Sequence, residues 1–294
     1  MCRNFLRFLA NLSIGIPEGP TAKNQLEASG SNENAIMKTA LTRIALLAGL
    51  AGALGVWTDA KDVATGAKTP VVLELFTSEG CSSCPPADRL LQSLDEKQPF
   101  NGAELVVLSE HVDYWNGDGW VDPYSSRLFS ERQRWYAQQF ELDSVYTPQI
   151  IVDGQRETVG SNAVAIRNAV EAATRSEKVS LTLSNPVRDG NRIKFHLTSA
   201  DLPGADGAAT VYVALAQNKA QSNVVGGENG GRLLTHVAVV RVLVPVGTVN
   251  AGSSFSKDVV IPIPSRVPAT GVRVVAFLQD DKSHKIVGAA QDKI

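Results

Sequence analysis

The sequence predicts an α/β domain over residues 70–177 followed by an all-β, sandwich-like domain over 178–294, behind an N-terminal signal peptide. Three observations carry this expectation. Short apolar runs alternate with helical patterns from Val71 to Ser176, the helical patterns stop after Glu177, and an apolar run from Ile44 to Trp57 follows the positive charges of Lys38 and Arg43. At 294 residues, 44% hydrophobic and 20% charged, the chain can bury a sizeable core and has room for two domains. Its formal net charge of -2 provides no basic surface for phosphates, which argues against a nucleic-acid partner.

The run from Ile44 to Trp57 is rich in Ala and Gly and shorter than the ~20 residues a membrane span takes, so it reads as a secretory signal ending at Thr58-Asp59-Ala60. On this reading residues 37–60 are the signal peptide and 1–36 lie upstream of the true initiator, Met37. The mature protein is then exported, to a bacterial periplasm or the medium, and meets the membrane only transiently. An uncleaved anchor is the rival reading. Residues 61–69 are a polar linker.

Val71 to Phe76 is an apolar run interrupted by Glu74, short enough for a buried parallel strand. Asp88 to Gln98 reads as a helix, with Leu90, Leu91 and Leu94 on one face and Pro99 as its stop. Leu105 to Leu108 is a second buried strand running into Ser109 to Trp115, and Pro123 to Glu141 is a second helix. Gln149 to Val152 is a third strand, Asp153-Gly154 a hairpin turn and Arg156 to Val159 its return. Ser161 or Asn162 caps a third helix reaching Arg175-Ser176. Strands alternating with helices in this way call for a sheet whose first strands are parallel.

Beyond Glu177 the strand candidates are Val179 to Leu183, Ile193 to Leu197, Thr210 to Ala216, Leu233 to Val244, Phe255 to Ile261, Val272 to Leu278 and Lys285 to Ala289. Gly/Pro/Asp turns separate them and no helical pattern intervenes, which suggests a sandwich. Residues 218–232 form a Gly/Asn-rich loop.

Of three cysteines, Cys2 lies in the upstream extension, leaving Cys81 and Cys84 as the thiols of the mature chain. Two cysteines this close constrain the unfolded chain little, so chemistry or metal binding explains them better than stability does. Cys81 lies where a strand turns into a helix. The unpaired N–H groups and positive dipole end of a helix start stabilise a thiolate, making Cys81 the expected nucleophile and Cys84 the resolving thiol. Pro85 and Pro86 stiffen the turn.

The segments GCSSCPPAD (Gly80 to Asp88), HVDYW (His111 to Trp115), RQRWY (Arg132 to Tyr136), YTPQIIVDG (Tyr146 to Gly154) and GENGGRLLTH (Gly227 to His236) together carry a resemblance. Residues 70–176 resemble the thioredoxin-like superfamily. The whole is similar to an uncharacterised family of exported bacterial thioredoxin-like proteins, of the domain-of-unknown-function 1223 type. The resemblance implies that Pro148 follows a cis peptide bond opposite the cysteines, that Thr147 pairs with an extended substrate chain, and that the protein has a redox role. The chain departs from ordinary thioredoxins in having Ser82-Ser83 between the cysteines, two prolines after them and no tryptophan before them.

The resulting expectation is a thiol-disulfide oxidoreductase that needs no cofactor or metal and acts on protein thiols or disulfides of the cell envelope, with Cys81 and Cys84 catalytic. Thr147, Pro148 and Trp115 are its expected substrate-binding residues. Glu74 and His111 are expected proton relays; against this, Glu74 can simply be paired or solvent-facing and His111 can be a hydrogen-bonded strand end. The alternatives are a non-enzymatic copper-binding or partner-binding module, with His111 joining the thiols, and a scaffold whose disulfide stays closed. Tyr114, Trp115 and Trp120 read either as core or as a groove, and Arg127, Arg132 and Arg134 as a solvated helix face. Glu228, Asn229, Arg232 and His236 read either as a network fixing the long loop near the cysteines or as ordinary loop polarity. His196 and His284 carry no expected role.

Overall fold

The computed structural model describes residues 68–294 apart from 118, 205, 206 and 269. The expected extension and signal peptide lie outside the described residues, as does residues 61–67 of the linker. Among the described residues no helix is long and apolar enough to cross a membrane.

Strand β1 (Thr69–Thr77) is buried from Val71 onward, as a run with apolar side chains on both faces requires. It pairs in parallel with β2 (Ala103–His111) and antiparallel with β3 (Gln149–Val152), which turns back through Asp153-Gly154 into β4 (Arg156–Val159). Helix α1 (Pro85–Lys97) starts at Pro85, where a missing N–H costs no helical bond, and lays Ala87, Leu91 and Leu94 on the sheet. Helix α2 (Arg127–Gln139) begins at Arg127 rather than near Pro123, because the Ser126 hydroxyl caps it by accepting the Leu128 N–H at 3.3 Å. Helix α3 (Ala163–Ala173) is capped by Asn162, whose side chain accepts the Ala165 N–H at 3.1 Å.

The second half contributes β5 (Leu181–Asp189), β6 (Arg192–Ser199), β7 (Ala208–Asn223), β8 (Leu233–Asn250), β9 (Phe255–Pro262), β10 (Val272–Asp280) and β11 (Ile286–Lys293). Here the expected fold class is overturned. The molecule is not an α/β thioredoxin-like domain followed by a separate sandwich. Among the described residues it is mostly β, built on one mixed eight-stranded sheet in the order β11-β10-β7-β8-β2-β1-β3-β4, with three helices and a second sheet β5-β6-β9. The join is a parallel bridge between Ser109 of β2 and Val239 of β8. Apolar periodicity identifies strands but carries no information on which strand lies beside which, and the expected domain division rested on that missing information.

Packing follows the sheet. One cluster gathers β1, β2, α1 and α3 side chains together with Ala214, Val237, Val240, Val275 and Phe277 from the second half. A second fills the space between the three-stranded sheet and β7 and β10, so sandwich-like packing is present with half of the large sheet as one of its layers. β7 and β8 extend well past the runs that predicted them and pair as a long hairpin from Ala208↔Asn250 to Asn223↔Leu233, with bulges at Val211/Tyr212 and Leu215/Ala216. This pairing carries the Val224–Arg232 loop to the end of β1.

Candidate active site

At the end of β1 the chain turns through Ser78, Glu79 and Gly80 into the two cysteines. The Cys81 N–H donates to the Ser78 carbonyl at 3.2 Å, the Cys84 N–H to the Cys81 carbonyl at 3.2 Å, and the Ala87 and Asp88 N–H groups to the Cys84 carbonyl at 2.8 and 3.1 Å. Cys84 is thereby the N-cap of α1. Gly80 fits a tight space, since a Cβ there would lie 3.0 Å from the Trp115 carbonyl oxygen and 3.1 Å from its Cβ. A disulfide joins Cys81 to Cys84, and both residues are 0% exposed.

The Thr147-Pro148 peptide is cis, and the Thr147 carbonyl oxygen lies 3.8 Å from Cys81 Sγ. The Ser83 hydroxyl donates to that carbonyl at 3.5 Å and sits 3.3 Å from Cys81 Sγ. Pro85 and Pro86 bring no N–H to the start of α1, so this hydroxyl is a donor beside the sulfur that a reduced Cys81 thiolate can use. Trp115 Nε1 donates to Thr147 Oγ1 at 2.7 Å. The structure therefore assembles Cys81, Cys84, Thr147, Pro148 and Trp115 at one place.

Beneath the disulfide lies a buried set of charges. Glu79 accepts Trp120 Nε1 at 2.9 Å on one carboxylate oxygen and faces His236 Nε2 at 3.2 Å with the other. His236 Nδ1 lies 3.7 Å from Asp88, too long for a hydrogen bond but within ion-pair range, and Asp88 accepts the Thr77 hydroxyl at 3.0 Å. Burial alone would lower the His236 pKa; Asp88 and Glu79 outweigh it and raise the value to about 10. The imidazole is thus a buried cation at neutral pH. His111 packs edge-on against it, with ring centroids 4.6 Å apart, and pairs through Nδ1 with Asp122 at 2.7 Å. Burial works to raise the Asp122 pKa, but His111 and the N–H groups of Glu79 and Tyr124 bring it below the usual carboxylate value.

Two expected relays stand elsewhere. Glu74 is buried with Arg132 Nε at 2.5 Å and the Tyr136 hydroxyl at 2.6 Å, both from α2. Strand side chains alternate between faces, and the odd-numbered Thr77 meets Asp88 of α1 while the even-numbered Glu74 meets α2, so Glu74 projects away from the cysteine helix. Arg132 is accordingly buried, not part of a solvated face, and lies 5.1 Å from the centroid of the Tyr136 ring. His111 reaches the cysteine turn indirectly, through Asp122 and the Glu79 N–H at 2.9 Å. Among the described residues no three His, Cys, Asp or Glu side chains are grouped to hold a metal ion.

The β7–β8 loop completes the site. Asn229, 0% exposed, donates through its side-chain amide to the carbonyls of Glu79 and Cys81, both at 2.9 Å, and Glu228 accepts the Ser82 N–H at 2.8 Å. Asp88 and Glu79 were missed from the sequence, where Asp88 read only as the start of a helix. The signal that could have found Asp88 is its spacing of four from Cys84, which puts both on one helical face.

The family described as "Protein of unknown function (DUF1223)" matches residues 72–279. The chain belongs to this family. The DUF1223 match takes in the cysteine turn, Thr147-Pro148 and the β7–β8 loop, so both halves of the site lie inside it. A crystal structure of an Agrobacterium tumefaciens protein is 28% identical, aligning over 77% of this chain and 95% of its own with a TM-score of 0.60. A domain of the outer membrane lipoprotein Omp28 from Porphyromonas gingivalis is 18% identical over 40% of this chain and 88% of its own, with a TM-score of 0.28 that carries no structural argument. No curated protein matches the chain.

Proposed function

We propose that this DUF1223 protein is an exported thiol-disulfide oxidoreductase whose redox centre is the Cys81–Cys84 pair. The observation that carries this reading is the placement of the disulfide at the start of α1, against the carbonyl of a cis-proline dipeptide. A bond between residues so close in sequence ties no distant parts of the fold together, whereas a sulfur 3.8 Å from the Thr147 carbonyl lies beside a backbone acceptor that a substrate chain can use. A CxxC pair facing a cis-proline is also what the thioredoxin-superfamily resemblance implies for this site, and the apolar run before Thr58 supports export.

In the reducing direction a thiolate of the partner protein attacks Cys81 Sγ. The S–S bond breaks and its electron pair leaves on Cys84, which takes up a proton. The partner's second thiolate then attacks its own sulfur in the mixed disulfide and releases Cys81 as a thiolate. Two electrons pass from the partner dithiol to the protein, and the reverse sequence oxidises the protein and reduces a partner disulfide. The Ser83 hydroxyl is placed to stabilise the Cys81 thiolate in either direction.

The test is a Cys84→Ser variant in cells. It is expected to accumulate mixed disulfides between Cys81 and envelope proteins; no trapped partner in either redox direction rejects the reading and leaves the copper-binding or partner-binding module. A glutathione titration of the purified protein separates exchange from a permanently closed bond. A potential of about -100 to -230 mV is expected, and one well below about -300 mV rejects exchange.

A further inference from the structure

Exchange at a disulfide requires the incoming thiolate to line up with the S–S bond. With Cys81 and Cys84 both 0% exposed, that line is closed in this structure. The cysteine turn must move before any thiol can react, and what holds it is visible.

Two side chains of the β7–β8 loop grip the turn, and a third orients one of them. The Asn229 amide spans the carbonyls of Glu79 and Cys81, one residue on either side of Gly80, at 2.9 Å each. Glu228 takes the Ser82 N–H at 2.8 Å, and this donor brings its carboxyl below the usual value. Arg232 Nη1 donates to the side-chain Oδ1 of Asn229 at 2.8 Å, which orients the amide with its N–H groups toward the turn. The loop itself is a closed unit: the Val224 N–H donates to the Arg232 carbonyl at 2.9 Å and the Gly231 N–H to the Val224 carbonyl at 2.7 Å. Its approach is set by Gly226, where a Cβ would fall 2.1 Å from the Gly119 carbonyl oxygen, so the loop also rests on the Trp115–Trp120 segment.

We infer that Asn229 is a positioning residue of the cysteine site, the bolt of a latch formed by residues 224–232 that controls access to the disulfide. This rests on the exchange function proposed above. With the bolt in place the turn stays closed and the sulfurs are unreactive. Withdrawing the loop frees the Glu79 and Cys81 carbonyls and the Ser82 N–H, the backbone groups that an extended substrate chain can then pair with. A partner is thereby selected by its ability to replace two carbonyl acceptors' donors and one donor's acceptor, as a peptide backbone does.

The experiment is the rate at which dithiothreitol reduces the disulfide of the oxidised full chain, followed by thiol release. Dithiothreitol supplies both electrons and needs no physiological partner. Loss of two buried hydrogen bonds raises the open population by about tenfold, so Asn229→Ala is expected to be reduced about tenfold faster than the parent. Asn229→Asp, of the same shape but with acceptors facing two carbonyls, is expected to be faster still. Glu228→Ala, at an exposed position that tolerates truncation, loses one exposed hydrogen bond and is expected to be about threefold faster, and His196→Ala, on the distant three-stranded sheet, unchanged. Thermal melts of the oxidised proteins check that folding is retained, and if the Asn229 variants do not fold the Glu228 variant decides alone. Equal rates for Glu228→Ala and every folded Asn229 variant overturn the latch. Faster reduction together with an empty Cys84→Ser trap leaves the latch standing and rejects the oxidoreductase.

Discussion

His236 sets the charge balance under the disulfide, and its titration gives the residue a measurable signature. Its pKa in the folded chain is about 10, against 6.5 for an ordinary histidine, with Asp88 and Glu79 prevailing over burial. A group whose folded pKa is raised contributes stability that is fully present below the unfolded value and is lost as pH rises through the folded value. The stability difference between the parent and His236→Gln is therefore expected to be largest below about pH 6.5 and to shrink toward pH 10. Urea unfolding of the two proteins at pH 6 and pH 10 measures it; an equal difference at both would show that His236 is neutral in the folded state. The cysteine pair and Thr147-Pro148 were legible in the sequence because they are local patterns with local consequences. His236 and Asn229 were legible only as a polar cluster, since their role depends on β8 lying beside β2, a pairing between residues more than a hundred positions apart in the chain.

At the scale of elements, α2 is fastened to the sheet by a buried polar group as well as by the apolar contacts of Phe129 and Tyr136. Arg132 reaches Glu74 at 2.5 Å, the Tyr136 hydroxyl at 3.1 Å and Gln279 of β10 at 3.1 Å, with Glu110 at 3.9 Å. Burial and the neighbouring Glu74 push the Glu110 pKa well above its ordinary value, with Arg132 opposing them, which favours the protonated acid. Two substitutions are expected to separate sharply. Arg132→Met leaves a buried carboxylate without its partner and is expected to cost about 3–5 kcal/mol, while Glu110→Gln, which copies the protonated acid, is expected to cost less than about 1 kcal/mol. Denaturant midpoints decide, and equal losses would mean that Glu110 is ionised. The period-two rule explains why the sequence misled here. Successive side chains along β1 face opposite sides of the sheet, and Glu74 falls on the α2 side.

For the whole molecule, the strand and helix order was readable from periodicity, but the architecture was not, because the sheet runs through the place where the composition changes. Arg273 of β10 makes a two-pronged pair with Asp95 of α1 at 2.7 and 2.8 Å, and Lys178 pairs with Asp153 at 2.6 Å. Val237, Val240 and Phe277 share a core with Leu73 and Leu105. Residues 68–294 are accordingly expected to melt in one calorimetric transition, with the van't Hoff and calorimetric enthalpies equal. A fragment ending at residue 177 is expected to remain unfolded, having lost part of that core. Two transitions, or a folded fragment, would show that the halves are independent. The bridge between Ser109 and Val239 has one more consequence. Where neighbouring strands elsewhere share several ladder pairs, β2 and β8 meet through that one, so the backbone lacing of the sheet is thinnest at its middle. Force applied across the strands at that line is resisted chiefly by side chains, the shared core and the Arg273–Asp95 and Lys178–Asp153 pairs, and little by the backbone ladder.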